Sequence, residues 1–112
     1  MTQKEFMEKL AEIKVCPVVV IDNVEDAVPL ARALEAGHLP MAEVTFRTPA
    51  AADAIAAMVK ECPNVVVGAG TVLDREQCTR AINAGAQFIV APSFSDEVAQ
   101  CAIGHGVAYC PG

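Results

Sequence analysis

Five apolar runs recur along this chain at a nearly constant interval, and that rhythm restricts its fold more than any other feature. They centre near Val18, Glu43, Val66, Ile89 and Ala108, about 20–25 residues apart. A turn and a stretch of helical periodicity follow each of the first four. Strands joined by whole helices run parallel through right-handed crossovers. Two architectures satisfy the pattern, a doubly wound open sheet and a parallel (β/α)8 barrel of which this chain carries about four units. The open sheet calls for a glycine-rich phosphate turn after its first strand. Here that strand ends Ile21-Asp22-Asn23, without such a glycine. The spacing therefore predicts an α/β fold of the parallel (β/α)8 TIM-barrel family, as one domain over residues 1–112.

The individual elements follow from local pattern. Phe6, Leu10 and Ile13 share one face of an N-terminal helix over residues 3–14. The continuous run from Val15 to Ile21 predicts a strand covered on both faces. Asp22 or Asn23 is expected to cap a helix with a stripe of Val24, Ala27, Val28, Ala31 and Leu34, ended by Gly37. Met41–Phe46 is the second strand. Thr48 with Pro49 reads as the cap and first residue of the next helix. Val65–Val67 is the third strand, with Gly68-Ala69-Gly70-Thr71 as a tight turn behind it. Asp74 is expected to cap a helix running to Gly85, and Ser95 or Asp96 to start another after the strand Phe88–Ala91. A fifth strand begins at Val107.

Composition excludes several classes of function. The net charge is −6 and no Lys/Arg cluster is present, so nucleic acid and anionic membranes are poor partners. No apolar run reaches the roughly 20 residues of a membrane helix, and Gln3-Lys4-Glu5 is no signal peptide. The five cysteines are scattered and lack a Cys-x-x-Cys pair, which suits small apolar residues in a reducing cytoplasm.

One stretch does not fit a purely structural chain. Glu43 interrupts an otherwise buried strand, and Arg47 follows four residues later. Charges at the end of a buried strand are costly unless they are used. A barrel gathers its active site at the C-terminal ends of its strands. There Glu43 would carry a raised pKa suited to acid/base work, and Arg47 would offer a planar fork to a carboxylate or phosphate. The plain structural alternative is an ion pair between the two. Gly68-Ala69-Gly70-Thr71 could let backbone approach a ligand and adds a hydroxyl. His38 and His105 fall in loops at the opposite end of the strands and read as solvated bystanders.

Three motifs then carry a resemblance. Glu43-Val44-Thr45-Phe46-Arg47-Thr48-Pro49, Val67 to Leu73 (VGAGTVL) and Ala84 to Pro92 (AGAQFIVAP) closely resemble the 2-keto-3-deoxy-6-phosphogluconate aldolase and 4-hydroxy-2-oxoglutarate aldolase family, in order and at matching separations. His38 stands where that family usually has a second glycine. The resemblance implies a class I aldolase of carbohydrate metabolism (the Entner–Doudoroff pathway), a homotrimer with neither metal nor cofactor. Its substrate is a small keto acid with a pyruvate moiety. It also implies roles: Glu43 shuttles protons, and Arg47 and Thr71 hold the keto-acid carboxylate.

The family's Schiff-base lysine would lie one repeat beyond Gly112. None of Lys4, Lys9, Lys14 and Lys60 is expected at the catalytic face. The chain by itself is accordingly expected to be inactive, the N-terminal half of an aldolase barrel. A non-catalytic half barrel that associates through its open edges, and another sugar-phosphate barrel isomerase or epimerase, are the alternatives.

Overall fold

A computed structural model describes all residues, Met1–Gly112. The elements in chain order are α1 (Gln3–Ile13), β1 (Val18–Val19), a 3-10 turn (Val24–Asp26), α2 (Ala27–Ala36), β2 (Met41–Thr45), α3 (Ala51–Glu61), β3 (Val66–Gly70), α4 (Arg75–Asn83), β4 (Phe88–Ala91), α5 (Asp96–Gly104) and β5 (Ala108–Pro111). The strands form one parallel sheet in the order β1-β2-β3-β4-β5. Sequential order identifies the barrel type of winding, because a doubly wound sheet reverses direction part-way through.

Strand alternation divides the interior into two cores. Ala42, Val44, Val67, Ala69 and Ile89 point to the helix side and join Ala31, Ile55, Met58, Cys78 and Val98. Met41, Val66, Phe88 and Ala108 point to the concave side, where Phe6 of α1 covers them. The Phe6 and Phe88 rings stack with centroids 4.7 Å apart. The Met1 carbonyl accepts from Ala108 N–H and the Gln3 side chain from Tyr109 N–H, so the start of α1 is tied to β5. α1 thus closes the N-terminal end of the concave face and leaves the C-terminal end open.

Helix boundaries follow their capping chemistry. Thr2 and Glu5 form a reciprocal capping box at α1, and Asp74 and Ser95 cap α4 and α5 as expected. Helices α2, α4 and α5 end in the same pair of reversed hydrogen bonds, with His38, Gly85 and Gly106 as the left-handed residue. Helix α2 ends at Ala36 with Gly37 as its C-cap, at an ordinary φ of −81, and the left-handed residue after it is His38, at φ 62.

Four local expectations are corrected. β1 is covered on one face only: Val18 and Val20 are exposed, because the concave side lacks a layer over this outer strand. Asn23 makes no capping bond with its side chain, and a 3-10 turn leads into α2 instead. Thr48 does not cap α3. That helix starts at Ala51 with no side-chain cap, and the Thr48 hydroxyl donates to the Ile21 carbonyl at 2.5 Å. Finally, Gly68-Ala69-Gly70 is not a turn but buried strand, continuous with Val66 and Val67.

Candidate active site

The two glycines of β3 make room for side chains of the protein itself. A Cβ on Gly68 would clash with one side of the Phe88 ring. One on Gly70 would coincide with Oε1 of Glu43 and lie 2.6–2.7 Å from its Cδ and Cγ. A side chain at Gly68 would require the Phe88 ring to move, and one at Gly70 would require the Glu43 side chain to move. The Gly-x-Gly pattern, read as ligand approach, is thus explained by packing on the concave face. What approaches Gly70 is the Glu43 side chain, and glycine within an apolar strand run signals such a close approach.

Glu43 reaches this place through strand alternation. Its neighbours Ala42 and Val44 are buried on the helix side, so Glu43 projects to the concave side. Opposite it in register is Gly68, and its carboxyl leans two residues further, over Gly70. The side chain is half-buried. Desolvation raises its pKa above the ordinary carboxylate value, and the Arg47 charge offsets part of that rise. The resulting carboxyl holds a proton more readily than a surface glutamate and remains reachable from the open end.

Arg47 lies in the β2–α3 loop, exposed. The chain's two ion pairs, Lys4–Glu8 and Lys9–Glu12, both belong to α1. The structural ion pair of Glu43 with Arg47 is therefore not formed, and the guanidinium is free to meet an anion. Thr71 follows Gly70 directly and is half-buried. Its φ of 56 is unusual for a β-branched residue and costs about 1–3 kcal/mol. The strain lies beside the Glu43 carboxyl, where strained residues often serve a ligand.

Glu43 thus comes from the middle of β2, while Arg47 and Thr71 lie just beyond the C-terminal ends of the adjacent strands β2 and β3. Cys16, at the approach to β1, lies near enough to feel the Glu43 and Cys110 charges. Burial first, then Glu43 and Cys110, push its thiol up to about 11. Sequence pattern alone offered no sign of this neighbour. His38 and His105 stand in loops that precede β2 and β5, at the other end of the sheet. A cleft of about 350 Å3 lies at that end too, lined by Glu12, Ile13, Glu35, His38, Pro40 and Asn64. It includes none of the three candidate residues. No group of three or more His, Cys, Asp or Glu side chains is arranged to hold a metal ion. No helix is long and apolar enough to cross a membrane.

The family model for KDPG and KHG aldolase matches residues 6–112. The chain belongs to that family. The 2-dehydro-3-deoxy-phosphogluconate aldolase of Treponema pallidum is 54% identical over 107 residues, 96% of this chain and 51% of the relative. The crystal structure of the Zymomonas mobilis 2-keto-3-deoxy-6-phosphogluconate aldolase with 3-phosphoglycerate aligns with a TM-score of 0.80 at 45% identity, over 87% of this chain and 46% of that one. The KDPG aldolase of Legionella pneumophila, with pyruvate captured as a covalent carbinolamine, gives 0.81 at 38% identity, over 87% and 47%. These family members are barrels of the (β/α)8 class, and the five parallel strands described above share that fold. The chain spans about half the length of the curated relatives it matches.

Proposed function

We propose that this chain supplies the proton-transfer and carboxylate-binding groups of a class I aldolase. The reaction cleaves 2-keto-3-deoxy-6-phosphogluconate or 4-hydroxy-2-oxoglutarate to pyruvate and an aldehyde. The observation that carries this reading is the half-buried Glu43 carboxyl seated over Gly70, beside an unpaired Arg47. The covalent pyruvate adduct of the Legionella pneumophila relative is the chemistry such a site would serve.

In this reaction a lysine amine adds to the keto carbon C2, and water leaves to give the protonated imine. The C4 hydroxyl loses its proton as the C3–C4 bond breaks. The aldehyde departs and the electron pair passes into the imine as an enamine. Protonation at C3 and hydrolysis then release pyruvate and the lysine. Glu43 is the group that takes and returns these protons through water, and its raised pKa suits both directions. Arg47 and Thr71 hold the C1 carboxylate.

Lys4, Lys9, Lys14 and Lys60 all lie on or at the ends of α1 and α3, away from Glu43. We therefore assign the nucleophilic lysine to polypeptide outside these 112 residues, in a cytoplasmic trimer of the family type. Pyruvate and borohydride should leave no covalent adduct on this chain alone, and an adduct seen by mass spectrometry would refute the assignment. In the assembled aldolase, Glu43→Gln should lower cleavage about 10²–10⁴-fold with the fold intact. Unchanged cleavage would refute the proton-transfer role of Glu43, whereas no cleavage by the wild-type assembly would favour a different sugar-phosphate reaction on the same fold.

A further inference from the structure

Arg47 is held between two anchored neighbours, and each anchor reaches a different strand. On one side, Phe46 N–H donates to the Gly70 carbonyl of β3 at 2.7 Å, and its ring packs against the helix-side core. The Arg80 guanidinium lies 5.8 Å above that ring. On the other side, the Thr48 hydroxyl donates to the Ile21 carbonyl, beyond the end of β1, at 2.5 Å.

The second anchor extends a pattern set by the strands. Backbone pairing of β1 with β2 ends at Val19 and Val44. Alternate carbonyls along this edge nonetheless continue to find donors. Pro17 accepts from Glu43 N–H, Val19 from the Thr45 hydroxyl and Ile21 from the Thr48 hydroxyl. Side-chain hydroxyls thus prolong the ladder for two further rungs, as the chain turns away from the sheet. The last rung is also the last fixed point before α3, which has no side-chain cap to hold its start.

From this geometry we infer that Thr48 is a positioning residue for Arg47, a latch that aims the guanidinium over the open end of the sheet. An arginine side chain has several free torsions, so the precision of a carboxylate clamp depends on how firmly its backbone is fixed. With Phe46 tied to β3 and Thr48 tied beyond β1, the Arg47 backbone is suspended above the end of β2, on the strand that carries Glu43. The ligand role rests on the aldolase reading. The latch itself does not.

The experiment compares wild type, Thr48→Val and Thr48→Ser by ¹H–¹⁵N NMR of the 112-residue chain, with pyruvate as the probe. Thr48→Val keeps the branched shape and loses the donor; Thr48→Ser keeps the donor. Amide exchange at Arg47 should quicken in Thr48→Val and return to the wild-type rate in Thr48→Ser. Pyruvate should shift the Arg47 resonances in wild type, with about fivefold weaker affinity in Thr48→Val and recovery in Thr48→Ser.

Should Thr48→Val lose the dispersed spectrum of the native fold, Thr48→Ala takes its place with the same expectations. Equal exchange and equal pyruvate affinity in the donor-less variant would overturn the latch and leave the aldolase reading standing. Faster exchange with no loss of pyruvate affinity would also overturn the positioning role. No pyruvate response in wild type would instead overturn the carboxylate-binding reading, with the exchange rates still reporting on the latch.

Discussion

Gly70 and Glu43 occupy one place: the carboxyl of the glutamate lies where the glycine would carry its side chain. This close approach from strand to strand decides where the chain's one acid/base candidate points. It also explains why the carboxyl is desolvated without being sealed off. Backbone covers it from one side, and the open end of the sheet admits water from the other.

Gly70→Ala tests the relationship directly. The added methyl must displace Glu43, which should destabilise the fold by about 1–3 kcal/mol and return the Glu43 pKa toward the ordinary carboxylate value. Urea denaturation and NMR titration measure the two effects. A Glu43 pKa that stays raised in a folded Gly70→Ala would contradict the packing.

The pH dependence of stability has a definite sign. Glu43 titrates higher folded than unfolded, because burial disfavours its ionised form. Its favourable contribution is complete below the unfolded carboxylate pKa of about 4.3 and is lost as pH rises through the folded value. Glu43→Gln is neutral throughout. Relative to wild type, it should gain stability as pH increases over that window. A difference in stability that does not change with pH would show that the carboxyl is not desolvated.

Cys16 reports on the same charge. With its thiol raised to about 11, alkylation by iodoacetamide at neutral pH should be slow. Burial is the main cause and the Glu43 charge the next, so Glu43→Gln should move the alkylation profile to lower pH. Mass spectrometry of the labelled peptide follows it. An unmoved profile would place Glu43 away from Cys16.

His38 holds a left-handed conformation at the end of α2 that suits glycine. Relief of that conformation, less the chain entropy glycine brings, should make His38→Gly more stable by about 0.5–1 kcal/mol. Thermal denaturation would show a melting temperature higher by a few degrees. A lower one would mean that the imidazole makes a compensating contact.

Much of this was legible in the residues. Period and apolar content dictated five parallel strands with helices between them, because each strand must bury side chains against a helix at a fixed interval. Asp74 and Ser95 declared their helix starts, since a capping side chain bonds a backbone N–H only two or three residues away. Local contacts of that kind are written in local sequence. Thr48 had the same signature, and there the tertiary structure overrode it: the Ile21 carbonyl, 27 residues away in sequence, takes its hydroxyl.

By itself, the sequence determined the order of the elements, the family, and the presence of a glutamate and an arginine at the end of one strand. Only the tertiary structure decided that the two form no ion pair, that Gly70 seats Glu43, and that the Thr48 hydroxyl donates to the Ile21 carbonyl. The physical reason is distance along the chain. Propensity and periodicity act within a few residues, whereas the void above a glycine, or a carbonyl left without a donor, exists only once separate strands lie side by side.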